Sequence, residues 1–457
     1  MAAQRSAELS EPGTPPLATR ALALPYLMAA AVSLLLGASF GLLAALPHGW
    51  PGLLGQLPLP RLRPLHTTFS IAWIFLGYMG CLFHFVPTVV GRDWPWPRLA
   101  RAQLWLLALA GLPSAAAYAV GSFSGREYLE FPLVTSALIL VAWVLFLANF
   151  FGLVRQRPRP WPAYLWMWCT GLVLFPLTFI EGHLYLLPFY GDNPVRDQAV
   201  QWKSYGTLIG SWNMVVYGLS LYLTERLAGD GPKVGFSRES YLLYWLGLVN
   251  LMFGFAHHTY PLPQALWVRR LAFGISMSEW VILVHQFWAR VGRRPQAPGS
   301  ALDVPRRFMV VATFWMSLNL VLALLVSIPV INAVTHGTHA TLAHAMGSTI
   351  GINSMILWAV GLAAIGEVSP GIGLVWEARL RALVPVIDLA LLSFFLCLLA
   401  AGVLKGLSMT AWALPFHEAM DKARPLLQLM AISGAFLWLG ICSLCVVWLR
   451  ALRSCYR

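Results

Sequence analysis

Apolar runs of about twenty residues, separated by short polar or basic segments, repeat along most of this 457-residue chain. A helix needs about 20 apolar residues to cross the hydrocarbon core of a bilayer. The pattern predicts twelve membrane-spanning helices, at residues 26–46, 67–90, 102–121, 133–154, 163–188, 205–224, 239–257, 267–289, 308–331, 339–365, 384–405 and 427–450. We expect an all-α membrane protein, with a short cytoplasmic tail at residues 1–24 and a single twelve-helix domain at residues 25–452.

The charged residues support this count. With the N-terminus inside, every inner loop is rich in Arg, whereas the outer loops are acidic or mixed in sign. This alternation obeys the positive-inside rule and places both termini in the cytoplasm. A chain that is 58% hydrophobic and 11% charged is not a soluble domain. Its net charge of +13 is scattered between the apolar runs, so we expect no nucleic-acid partner.

Histidines from three distant segments reach a similar depth near the outer face. His66 begins span two, His257 and His258 end span seven, and His344 lies near the start of span ten. Ionisable side chains inside a bilayer are costly and therefore mark functional sites. Facing helices of a bundle build metal and heme sites in this way. None of the six Cys forms a C-x-x-C-H motif, so no covalent c-type heme is expected.

His344 and Met346 are two residues apart on the predicted helix of span ten. At about 100° per residue, their side chains project to nearly opposite faces. One helix could therefore offer a ligand to each of two hemes. Taken alone, Met346 is more simply explained as an apolar filler of the helix interface.

Four segments resemble motifs of the heme-copper oxidase superfamily. They are R-L-R-P-L-H-T-T ending at Thr68, G-R-E-Y-L-E-F-P at 125–132, S-M-S-E-W at 276–280 and T-H-G-T-H-A-T-L-A-H-A-M at 335–346. Because they lie in different spans and in the family's order, the resemblance covers about residues 25–450. The large (cytochrome b) subunit of nitric oxide reductase is the nearer match, and subunit I of the C-type cytochrome oxidases is the second.

The resemblance implies a set of cofactors and ligands. His66 would bind a low-spin heme b, and His344 a high-spin heme of the b type. His257 and His258 would bind a non-heme metal, Fe or Cu, because neutral imidazole suits both. In the outer loop, Glu127 and Glu130 would lie near a Ca²⁺ ion, which prefers carboxylate oxygens. Glu279 stands where the reductases keep a buried glutamate and would carry protons.

Two departures from the family pattern are large. Thr207 and Ser211 stand where the reductases have the third histidine and the glutamate of the non-heme metal. Either other groups complete that site, with Glu279, Glu181 and His183 as candidates, or the site is empty. Met346 stands where the family has the second low-spin heme histidine. Either Met346 ligates this heme, or the heme is five-coordinate or absent.

The resemblance implies a respiratory oxidoreductase subunit in the bacterial inner membrane that reduces NO to N₂O, or O₂ to water. Its electrons would come from a small membrane-anchored cytochrome c subunit or from quinol. The alternative is a catalytically degenerate heme-binding paralogue for electron transfer, gas sensing or assembly, which Thr207 and Ser211 favour. A transporter with a buried histidine pair is a third reading, and the motif around His66 argues against it.

Overall fold

The computed structural model describes residues 17–55, 58–124, 126–157, 159–229, 233–253, 258–271, 273–275, 277, 302–368 and 370–455. The major helices are α1 (Leu17–Gly49), α2 (Leu59–Val90), α3 (Pro97–Ala119), α4 (Leu133–Val154), α5 (Ala163–Gly182), α6 (Pro194–Leu227), α7 (Arg238–Phe253), α8 (Asp303–Ser327), α9 (His339–Val368), α10 (Pro370–Thr410) and α11 (Phe416–Ser454). Short helical turns lie at Leu184–Leu186, Pro188–Gly191, Val234–Phe236 and Pro329–Thr335. The expectation of an all-helical fold is confirmed over the described ranges.

Within these ranges, nine helices are long and apolar enough to cross a membrane. They are α1 to α5 and α8 to α11, and they match nine of the twelve predicted spans. Helix α6 covers predicted span six but is more polar, and 16 residues of α7 cover most of span seven. Most of span eight, at 267–289, lies outside the described residues. The total of twelve therefore stays a prediction.

Local signals set several helix ends. The side chain of Asn193 accepts hydrogen bonds from the N–H groups of Val195 and Arg196 and so begins α6 about ten residues before the predicted span. Thr338 caps α9 in the same way through Ala340 N–H. Gly91 ends α2 in the left-handed conformation that glycine adopts at no steric cost.

Helix α9 is the central element of the bundle. It packs against α2, α6, α8, α10 and α11, while α1 packs along both α2 and α11. Large buried aromatic rings fill the centre, with Trp73 of α2 between Trp358 of α9 and Trp448 of α11. The middle of α9, Gly347–Ser354, is a π-helix. Such segments are rare and occur frequently at functional sites.

Candidate functional site at the N-terminal half of helix α9

The ring of His66 is held by the neighbouring helix α1. Its Nδ1 lies 2.8 Å from the carbonyl oxygen of Gly37. A Cβ atom at residue 41 would lie only 2.6 Å from the same nitrogen, so Gly41 leaves the space that the ring occupies. Among the described residues, His66 Nε2 has no hydrogen-bond partner. A histidine whose other nitrogen donates to a backbone carbonyl is oriented in the way that metal-ligating histidines usually are.

His66 and Met346 lie at the same depth in the bundle. Helices α2 and α9 run in the same direction, and Trp73 Nε1 of α2 donates to Ser354 Oγ of α9 at 2.9 Å. One turn further, Gly77 faces Leu357. His66 precedes Trp73 by seven residues and Met346 precedes Ser354 by eight, so both lie roughly two turns before this contact. In the described residues, α2 packs on the C-terminal half of α9 and less closely on its N-terminal half.

His344 faces α8 rather than α2. The backbone carbonyl of Asn319 on α8 interacts with its ring, although Nδ1 is buried and makes no hydrogen bond of normal geometry. The Asn319 side chain packs against Gly347, directly after Met346. That His344 and Met346 present their side chains to different neighbours of α9 stays a prediction from their spacing.

The hydroxyl groups of Thr207 and Ser211 on α6 are engaged by the backbone. Both side chains are only 1% exposed. Thr207 Oγ1 donates to the carbonyls of Lys203 and Leu251, at 3.0 and 3.2 Å, and Ser211 Oγ donates to the carbonyl of Leu208 at 2.6 Å. These contacts tie α6 to its own preceding turn and to α7. A neutral hydroxyl is in any case a poor ligand for Fe or Cu.

His258 stacks on Trp202 near the outer end of α6. The ring centroids are 4.7 Å apart and the ring planes differ by 8°. The ring of His336 lies 6.3 Å from that of His258, and its Nε2 is buried without a hydrogen-bond partner in the described residues. Burial lowers the pKa of His336, which favours the neutral ring that metals bind. His257 and Glu279 lie outside the described residues.

The outer loop between α3 and α4 is held by ion pairs. Glu127 pairs with Arg63, three residues before His66, and Arg126 pairs with Asp197 at the start of α6. Glu130 is 5% exposed, and burial raises the pKa of its carboxyl while Arg63 lowers it. In the described chain, no three His, Cys, Asp or Glu side chains are grouped closely enough to hold a metal. The Ca²⁺ site at Glu127 and Glu130 stays a prediction.

The other candidates for the metal site have local partners. Glu181 pairs with Lys203 at 2.6 Å. His183 interacts through Nδ1 with the carbonyl of Phe179 at 2.8 Å and through Nε2 with Ser136 Oγ at 3.1 Å. Both side chains therefore stabilise the outer end of α5 in this structure.

Comparison with known proteins identifies the architecture. The family model described as "Cytochrome C and Quinol oxidase polypeptide I" matches residues 21–436. The chain belongs to this heme-copper oxidase subunit I family. It is 23% identical to a nitric oxide reductase subunit of Stutzerimonas stutzeri, with 93% of each chain covered. It is 24% identical to "Cbb3-type cytochrome c oxidase subunit CcoN1" of the same organism, with 70% of each chain covered.

A solved heme-copper terminal oxidase dimer has the same fold. The alignment covers 96% of this chain and 84% of the oxidase chain, with a TM-score of 0.74 and 13% identity. The predicted membership of the heme-copper oxidase superfamily is confirmed. The side chains on α2 and α9 fit a heme ligand, because within the described residues the oriented His66 ring has no hydrogen-bond partner at Nε2 and the buried His344 Nδ1 makes no hydrogen bond of normal geometry. The donor set on α6 does not fit the non-heme metal.

Two groups of ionisable side chains inside the bundle were missed from the sequence. At the predicted inner end of the helices, Glu367 Oε2 of α9 lies 3.0 Å from His84 Nε2 of α2, and Glu367 Oε1 lies 2.8 Å from Arg226 of α6. Asp388 of α10 accepts a hydrogen bond from Trp315 Nε1 of α8 at 2.7 Å. A single carboxyl in an otherwise apolar run is a sequence signal that would have identified Asp388.

Proposed function

We propose that this chain is the heme-carrying subunit of a membrane oxidoreductase that reduces a small gaseous substrate. The reaction is NO to N₂O, with two NO, two electrons and two protons giving N₂O and water, or the reduction of O₂ to water. The observation that carries the proposal is the oriented ring of His66 at the same depth as Met346 on a parallel helix. It agrees with the kinship to a nitric oxide reductase and to cytochrome oxidases.

In this proposal His66 and Met346 would hold a low-spin heme b, and His344 would hold a high-spin heme of the b type. Heme groups supply electron transfer and gas binding, whereas the protein supplies placement and electrostatics. The backbone carbonyl of Gly37 orients His66 and keeps Nε2 as the free nitrogen. A thioether ligand stabilises ferrous iron and raises the potential of this heme.

The non-heme metal, Fe or Cu, is proposed at His257 and His258. The hydroxyl groups of Thr207 and Ser211 donate hydrogen bonds to backbone carbonyls and do not complete this site. His336 Nε2, which is buried and has no hydrogen-bond partner among the described residues, lies on a ring 6.3 Å from that of His258 and supports His336 as a further imidazole for the site. Glu279 is proposed as the proton carrier beside the metal.

Partners and location follow from the same proposal. Electrons enter from a small membrane-anchored cytochrome c subunit or from quinol, and lipid surrounds the bundle in the bacterial inner membrane, with both termini in the cytoplasm. The ion-paired outer loop around Arg63, Glu127 and Arg126 supports a donor site near His66, because it holds charged side chains at the outer end of α2.

The second candidate function is a heme-binding paralogue that has lost the chemistry and acts in electron transfer, gas sensing or assembly. The backbone-bonded hydroxyls of Thr207 and Ser211 favour it, because α6 offers no metal ligand at either position. One preparation tests both candidates: the membrane-extracted protein is assayed for heme, for Fe and Cu in excess of heme and, with a chemical reductant supplied, for N₂O after addition of NO and for O₂ consumption. Heme with N₂O supports the reductase, and heme without NO or O₂ reduction supports the paralogue.

A further inference from the structure

Asp388 is an isolated carboxyl within the membrane-spanning part of α10. It is the only Asp, Glu, Lys or Arg between Arg381 and Lys405. The helices around it are equally free of charge: residues 308–366, which include most of α8 and α9, contain none of these four residue types, and residues 425–449 of α11 contain none. The titratable groups on these segments are His336, His339 and His344 and the thiols of Cys397, Cys442 and Cys445.

The carboxyl of Asp388 has one hydrogen bond and no counter-ion among the described residues. Its partner is the neutral indole N–H of Trp315, at 2.7 Å. An ionised carboxylate without a cation is strongly disfavoured at membrane depth. The other acids of this region differ, because Asp303 pairs with Arg307 and Arg381, and Glu377 pairs with Arg381. Asp388 is therefore the acid that this environment keeps protonated.

Trp315 connects Asp388 to the helix that carries His344. The indole ring packs directly against Gly351 in the π-helix of α9, where a Cβ atom would collide with it. One turn along α8, the carbonyl of Asn319 interacts with the His344 ring. The side-chain oxygen of Asn319 is buried, and the side chain is 2% exposed, yet this atom has no hydrogen-bond partner in the described residues. Such an unmet acceptor one turn from Trp315 is a polar position beside His344 in an otherwise apolar region.

We propose that Asp388 is a protonated carboxylic acid of the membrane domain that delivers protons along α8 toward the His344 face of α9. The delivery role rests on the proposed function, since reduction of NO or O₂ consumes protons. The protonated state does not rest on it, because it follows from the apolar surroundings and the single neutral partner. In the transfer, the O–H bond of Asp388 breaks and its proton passes to water, which carries it on to the reduced gas; the Asp388 carboxylate then takes a replacement proton from solvent.

A carbodiimide tests the protonated state in the intact, membrane-embedded protein. Dicyclohexylcarbodiimide reacts with a carboxylic acid in its protonated form: the acid O–H adds across a C=N bond, and the O-acylisourea rearranges to a stable N-acylurea. Mass spectrometry of the digested chain should find this adduct on Asp388 and not on Asp303 or Glu377. Asp388→Asn should lose the adduct and Asp388→Glu should keep it. An unmodified Asp388 beside a modified Asp303 would overturn the proposal.

Turnover tests the delivery role in the same variants. Asparagine keeps the acceptor for Trp315 Nε1, so a purely structural role predicts that Asp388→Asn behaves like the wild type. Proton delivery predicts that this variant reduces NO or O₂ at least about tenfold more slowly, with unchanged heme content, and that Asp388→Glu recovers most of the rate. Full turnover in Asp388→Asn would refute delivery. A wild type that carries the adduct but reduces neither gas supports the protonated acid and contradicts the proposed function instead.

Discussion

Helices α2 and α6 both pack against α9, but their polar side chains are used in opposite ways. On α2, the Nδ1–H group of His66 donates a hydrogen bond to the carbonyl of Gly37, and Nε2 has no hydrogen-bond partner in the described residues. On α6, Thr207 and Ser211 use their hydroxyl groups on backbone carbonyls. A side chain can act as a ligand only through an atom that the fold leaves available. The comparison favours the proposal that α2 and α9 carry heme ligands and that Thr207 and Ser211 of α6 contribute no ligand to a non-heme metal.

The strongest test of the α2 side is His66→Ala. Removing the imidazole takes away a ligand that no described neighbour can replace, so we expect complete loss of the low-spin heme spectrum. The high-spin heme at His344 should remain, because its ligand lies on another face of α9. Optical spectra of the reduced and oxidised protein measure both. His417→Ala is the matched control, since His417 is 76% exposed at the outer surface; an unchanged low-spin spectrum in His66→Ala would place that heme elsewhere.

The second test concerns the partner of His66 on α9. If Met346 ligates the low-spin heme, Met346→His should replace a His/Met signal by a bis-histidine signal in near-infrared magnetic circular dichroism. The midpoint potential should fall, because a thioether favours ferrous iron more than imidazole does. Axial ligands control heme potentials over a range of roughly 0.8 V, so the change should be easily measured. A wild-type spectrum that is already bis-histidine would remove Met346 from the site.

The long apolar runs made nine spans predictable, because length and hydropathy alone decide whether a helix can cross a bilayer. The polar start of α6 was not predicted, since it depends on the cap at Asn193. Motif order gave His66 and His344 as heme ligands, which stays a prediction. It could not show that Trp202 stacks on His258, or that α9 adopts a π-helix after Met346, because these depend on contacts between distant segments. Asp388 was missed because one carboxyl hardly changes the mean hydropathy of a span.

On the α6 side, Thr207→Val tests whether the hydroxyl is purely structural. Valine keeps the shape but loses the hydrogen bond to Leu251, which should cost about 1 kcal/mol of folding stability and lower the unfolding midpoint by about 2 °C. Heme and non-heme metal content should not change. Elemental analysis and a thermal melt in detergent give both readouts. A loss of Fe or Cu in Thr207→Val, but not in Ser220→Ala on the same helix, would show that Thr207 is a ligand after all.

The smallest expected effect is at the outer loop beside His66, where Glu130→Gln tests the predicted Ca²⁺ site. Burial raises the pKa of the Glu130 carboxyl, so the folded state binds this proton more tightly than the unfolded state. The resulting stabilisation is present at low pH and is lost as pH rises through the folded pKa. Without Ca²⁺, Glu130→Gln should therefore melt about 1–2 °C above the wild type at neutral pH, and the gap should close on acidification.

If Ca²⁺ binds at Glu130, its addition should make the wild type melt at a higher temperature than Glu130→Gln. A divalent ion favours the ionised carboxylate, so it should raise the melting temperature of the wild type and leave Glu130→Gln unchanged. Adding a chelator should then make Glu130→Gln melt at a higher temperature than the wild type again. Glu418→Gln is the matched control, because that carboxyl is half exposed on α11, where its only ion-pair contact among the described residues is the neighbouring His417. If Ca²⁺ stabilises the wild type and Glu130→Gln equally, the ion binds elsewhere, and Glu130 is a buried acid that limits stability at neutral pH.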